Sequence, residues 1–101
     1  MADRAIQDQR QFERRGFIGL VRVGLVREVE KTFPAQVLNI SDGGMYIELD
    51  EDLDVGRNVY VWIKETLEEV AQEEYFGTIQ WKKRLDDSFT ALYGYGIEFA
   101  D

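Results

Sequence analysis

Two short stretches of this 101-residue chain gather the groups that could hold a polar ligand. In "RQFERR", Arg10 and Arg14 stand four residues apart and Arg15 adjoins the second. A guanidinium is charged at every ordinary pH, offers a planar fork that matches phosphate oxygens, and stacks on flat rings. Two arginines so placed could close over a ligand that carries both phosphates and bases. In "NISDGG", Asn39 to Gly44, an amide, a hydroxyl and a glycine pair lie at one corner between the apolar alternating runs "AQVLNI" and "MYIEL". Asn, Ser and Asp bond nearby backbone groups and glycine accepts positive φ, so a hairpin turn alone would account for the hexamer.

Other chemistries find little support. The chain has no cysteine and no histidine, which removes disulfides, thiolate metal sites, the strongest nucleophile and the commonest general base. Ser41 is a hydroxyl near a tight turn, but no base candidate stands at a suitable spacing, so no enzymatic activity is expected. The acidic run "ELDEDLD", Glu48 to Asp54, lacks the alternating ligands and central glycine of a calcium loop and reads as a solvated turn; no metal site is expected. A formal net charge of -8 argues against a nucleic-acid polymer as partner, because displacing counterions from phosphates needs a basic footprint. The charge is uneven. Residues 1–27 carry Arg4, Arg10, Arg14, Arg15, Arg22 and Arg27 against Asp3, Asp8 and Glu13, while the remainder is strongly acidic. An acidic body with an arginine-rich entrance could attract a small anion and repel a large polyanion.

These groups need a scaffold, and the chain is long enough for one domain. Six runs rich in β-branched and aromatic residues read as strands, near Phe17–Arg27, Ala35–Ile40, Gly44–Leu49, Asn58–Lys64, Glu73–Lys83 and Tyr93–Ala100. Short strands separated by turn signals predict an all-β fold, a six-stranded antiparallel barrel that closes to remove exposed edges. Pro34 is placed just before the second strand, where a missing N–H does least harm. In "KETLEEVAQEE", Lys64 to Glu74, the spacing of Leu67, Val70 and Ala71 predicts a short helical turn between the fourth and fifth strands. Residues 1–9 show no strand pattern and are expected to form a mobile arm ahead of a domain over 10–101. Gly94 and Gly96 are expected to serve a bent strand, and Tyr75, Phe76, Phe89 and Tyr95 to pack. With no apolar run near the roughly 20 residues of a membrane span and no hydrophobic signal segment, the expectation is a soluble, cytoplasmic protein without membrane insertion.

Together the two stretches resemble the signature of the PilZ domain family: R-x-x-x-R just before the first strand, here Arg10 to Arg14, and [D/N]-x-S-x-x-G at the corner of the second and third strands, here Asn39 to Gly44. "GTIQW" at Gly77–Trp81 and "GYGIEF" at Gly94–Phe99 look like the family's late strands, so the resemblance spans nearly the whole chain. It implies a β-barrel that binds the bacterial second messenger cyclic di-GMP, without catalysis and with no further cofactor. Carried onto this chain, Arg10 and Arg14 would hold phosphates and stack on guanine. Asn39 and Ser41 would hydrogen-bond the ligand, and Gly44, with Gly43 beside it, would allow close approach of the backbone. Trp81 would stack on guanine, or else belong to the barrel core or rim. A second register, aligned on "ERRGFIG", uses Arg15 and puts Gly19 where the family has its second arginine; the register of Arg10 and Arg14 keeps both charges, and we favour it. Under the other, nucleotide binding would be weak or lost, and the domain would act as an adaptor through protein contacts. The resemblance further implies a downstream protein partner and signalling of the kind that governs motility and biofilm formation.

Overall fold

Alternation of apolar and polar residues, with valine and isoleucine prominent on the apolar side, builds six strands. The computed structural model describes residues 18–66, 72–86 and 91–100. Within them the strands are β1 (Gly19–Leu25), β2 (Glu28–Ile40), β3 (Gly44–Leu49), β4 (Asn58–Thr66), β5 (Glu74–Arg84) and β6 (Tyr93–Phe99). All pairings are antiparallel, and the order β1-β2-β3-β6-β5-β4 closes on itself where β4 pairs with β1. The expected all-β, six-stranded barrel is therefore present.

One face of every strand fills the interior. Val23, Val37, Ile47, Val59, Val61 and Ile79 are almost wholly removed from solvent, each contributing about 1.5–3 kcal/mol of apolar burial. Among the described residues no polar or charged side chain is buried. The bulkiest interior side chain, Tyr95, brings a hydroxyl with it. That hydroxyl donates to the Glu51 carbonyl at 2.5 Å and accepts the Leu53 N–H at 2.7 Å. The acidic run between β3 and β4 is thus more than a solvated turn. Leu53 is buried, Asp52 pairs with Lys82 of β5, and Asp50 accepts the Leu92 N–H ahead of β6.

Two local expectations need correction. The first predicted strand, Phe17–Arg27, ends early: β1 stops at Leu25, and the chain turns at Val26 and Arg27 into a β2 that begins at Glu28 instead of Ala35. Arg27 takes φ 79°, a left-handed conformation usually left to Gly, Asn or Asp, and for that reason the turn is hidden in sequence. Pro34 lies inside β2 opposite Arg22, and is tolerated because β3 pairs only with residues 36–40, leaving one side of β2 unladdered at that point. Of the predicted helical turn, Lys64, Glu65 and Thr66 continue β4, while positions 67–71 lie outside the described residues.

The hydroxyl of Tyr95 yields the first test. Burial holds its phenol above the ordinary value, against the smaller opposing effects of the Leu53 N–H and the Lys82 charge. As pH rises past about 10 the unfolded chain ionises first. The stability conferred by the neutral phenol is complete below that pH and is lost as pH climbs through the native value. Tyr95→Phe should cost about 1–3 kcal/mol at neutral pH, since it strands the buried Leu53 N–H. The variant should also show a shallower alkaline decline than wild type in urea unfolding between pH 9 and 11; equal slopes would mean that Tyr95 does not govern it.

Candidate functional site

An open cleft of about 300 Å³ lies on the outside of the barrel, over β2, β3, β6 and β5. Its lining includes Asn39, Ser41, Gly43 and Gly44 from the β2–β3 corner and Trp81 from β5, five of the residues singled out in the sequence. Tyr46, Gln80, Gly96 and Glu98 join them. Arg10, Arg14 and Arg15 lie outside the described residues. Of the other N-terminal arginines, Arg22 stands on β1 with its guanidinium bonded to the side chain and carbonyl of Thr32, so its role there is structural.

The cleft floor is one cross-strand row. Asn39 of β2 stands opposite Tyr46 of β3, Tyr46 opposite Gly96 of β6, and Gly96 opposite Trp81 of β5. Strict alternation would not give this row. Val37 and Ile79 face the core, so Asn39 and Trp81, two residues on from each, should face it too. The ladder slips by one residue between Val37 and Asn39, and again between Ile79 and Trp81. Each slip turns the following side chain outward, as a β-bulge does. Trp81 is consequently 46% exposed instead of belonging to the core. Gln80, the extra residue, is exposed beside it.

The aromatic rings lie flat because β6 offers glycines beneath them. A Cβ at Gly96 would fall on the indole of Trp81, and one at Gly94 on the phenol of Tyr46. Neither glycine has positive φ, and what each supplies is room: these positions are seats for rings. Tyr46 and Trp81 then stack, with centroids 5.6 Å apart and planes 20° from parallel. The Tyr46 hydroxyl donates to Glu48 at 2.7 Å, and the Lys83 ammonium sits 5.4 Å from the Tyr46 ring centre.

The corner is a hairpin closed by its own backbone. Ser41 donates its N–H to the Gly44 carbonyl at 2.9 Å, with its hydroxyl 3.4 Å from the same oxygen, and Gly43 accepts the Phe99 N–H at 2.9 Å. Positive φ is not why the glycine pair is there, since neither residue adopts it. Gly44 is required because a Cβ would collide with the Ile97 carbonyl of β6, whereas Gly43 faces open space. Of the aromatics expected to pack, Tyr75 is buried and stacks on Phe99 at 4.7 Å, while Phe76 is 39% exposed on the outer face; Phe89 lies outside the described residues. Tyr46 and Glu98 escaped notice in the sequence, although the alternation of β3 and the spacing of "GYGIEF" already place both on the outer face.

Substitution tests the seat directly. Gly96→Ala, made in a Trp62→Phe background so that Trp81 is the sole tryptophan, should lower stability by about 1–3 kcal/mol through overpacking. Its near-UV circular dichroism from the Tyr46–Trp81 stack should weaken; an unchanged spectrum would mean the indole does not rest on Gly96.

A family model described as PilZ domain matches residues 8–101. Searches among curated proteins and among solved structures found no significant match. A match over most of the sequence, joined to a closed six-stranded barrel, establishes that this chain belongs to the PilZ domain family.

Proposed function

We propose that this domain is a receptor for cyclic di-GMP that works by binding and not by catalysis. The observation that carries the proposal is the outward row Asn39–Tyr46–Gly96–Trp81, which puts an exposed, stacked ring beside the Asn39–Ser41–Gly44 corner in one cleft. A base has a flat face for Trp81, and base–aromatic stacking is worth about 1–3 kcal/mol. Asn39 and Ser41 supply polar contacts at the rim. Arg10 and Arg14 hold the phosphates, with Arg15 adjoining, and residues 10–101 form the binding domain behind a short leading segment. The ligand is the only small molecule required. Binding changes the surface that the cleft presents to a downstream protein.

A protein-binding adaptor that takes no nucleotide is the second reading, and a separate surface favours it. On the outer face of β4 and β5, Tyr60 packs against Trp62 and Phe76 with centroids 5.8 and 5.1 Å away. Tyr60 and Trp62 are half-buried and Phe76 is exposed, and aromatic side chains that reach the surface in a cluster are enriched at protein contacts.

Isothermal titration of the purified chain with cyclic di-GMP, with GTP as control, separates the two. Saturable binding is expected. Arg14→Ala should weaken it roughly ten- to a hundredfold, the value of a charge-assisted hydrogen bond of about 1.5–3 kcal/mol. Trp81→Ala should weaken it over a similar range, roughly as expected for one lost stack. A flat wild-type titration with folded protein would overturn the receptor reading and favour the adaptor.

A further inference from the structure

The outward positions of β6 are Gly94, Gly96 and Glu98, of which Gly96 and Glu98 line the cleft. The first two are occupied by the rings of Tyr46 and Trp81. The third is a carboxylate, and it lines the cleft together with Gln80 and Trp81. Gln80 donates its side-chain N–H to Glu98 at 2.8 Å, which fixes the carboxylate's orientation; among the described residues no other side chain bonds to it. The pair exists because of the slip in β5, which exposes Gln80 and Trp81 in succession.

A carboxylate in a cleft for a doubly anionic ligand is repulsive unless the ligand brings it hydrogen-bond donors. An ionised carboxylate only accepts, and its two oxygens match a pair of adjacent N–H donors. Guanine has such a pair, N1–H and the 2-amino group, along its Watson–Crick edge. Adenine presents an unprotonated N1 there. Glu98 stands two residues from Gly96, the seat of Trp81, about 7 Å along the strand, a distance that the edge of a base stacked on the indole would span. Resting on the receptor reading above, we propose that Glu98, oriented by Gln80, reads the guanine edge and makes the cleft selective for guanine over adenine. Selectivity then comes both from bonds to the right base and from an unpaired acceptor facing the wrong one.

The test is titration of wild type and Glu98→Gln with three ligands: cyclic di-GMP, cyclic di-AMP, and cyclic di-inosine monophosphate, which lacks the 2-amino group. Gln keeps the size and one acceptor, and the exposed position makes a folding defect easy to exclude by thermal melting. Wild type should prefer cyclic di-GMP over the inosine analogue by about tenfold and over cyclic di-AMP by more. In Glu98→Gln both preferences should collapse toward unity, chiefly through a ten- to hundredfold loss for cyclic di-GMP. Undiminished preferences in the variant would overturn the role of Glu98 while leaving the receptor reading intact. A wild type that binds none of the three would overturn both.

Discussion

A strand that alternates its side chains cannot place two residues of the same parity on opposite faces unless its ladder slips. The outer surface of this barrel depends on two such slips, one after Val37 and one after Ile79. They occur on β2 and β5, which flank the central pair β3 and β6, and they bring Asn39 and Trp81 into register with Tyr46 and Gly96. Without them the row would lose its polar end and its indole. The core survives because Val37 and Ile79 remain inside.

The second condition is the absence of side chains on β6. Aromatic rings on an outer face ordinarily stand up from the sheet and move. Here Gly94 and Gly96 let them lie down, and contact with the backbone and with each other holds them. The same device recurs on the far side, where a Cβ at Gly24 would meet the ring of Trp62. Both aromatic surfaces of the barrel are therefore built from rings on glycines, although only the first adjoins a polar corner and a cleft.

The class of fold was legible because β-branched residues and turn signals recur at strand intervals, and the placement of β3, β5 and β6 followed from "MYIEL", "GTIQW" and "GYGIEF". The cleft was legible in part, since Asn39, Ser41, Gly44 and Trp81 do meet. What stayed hidden was register. Nothing in "AQVLN" or "TIQWK" announces an unpaired residue, because a slip is settled by what the neighbouring strands bury and not by local propensity. The β1–β2 turn was hidden for a similar reason: Val26 and Arg27 carry no turn chemistry, and the cost of a left-handed arginine, about 1–2 kcal/mol, is outweighed by the pairing on either side. Gly44, Gly94 and Gly96 stand out in the sequence, but the room each leaves, for the Ile97 carbonyl or for a ring, is set by the neighbouring strands.

The strand beneath the cleft has a bearing on how a message could leave it. β6 is laddered on both sides, to β3 without interruption from Gly44 to Leu49 and to β5 along its whole length, and its inner face is locked by Tyr95 and Ile97. Such a floor cannot flex without breaking hydrogen bonds in two ladders at once. An occupant would thus find a rigid anvil, and among the described residues its influence would fall on the rim, at the Ser41–Gly43 corner and the outward side chains of β5. Communication in this barrel would be an affair of the surface, with the interior indifferent to what is bound.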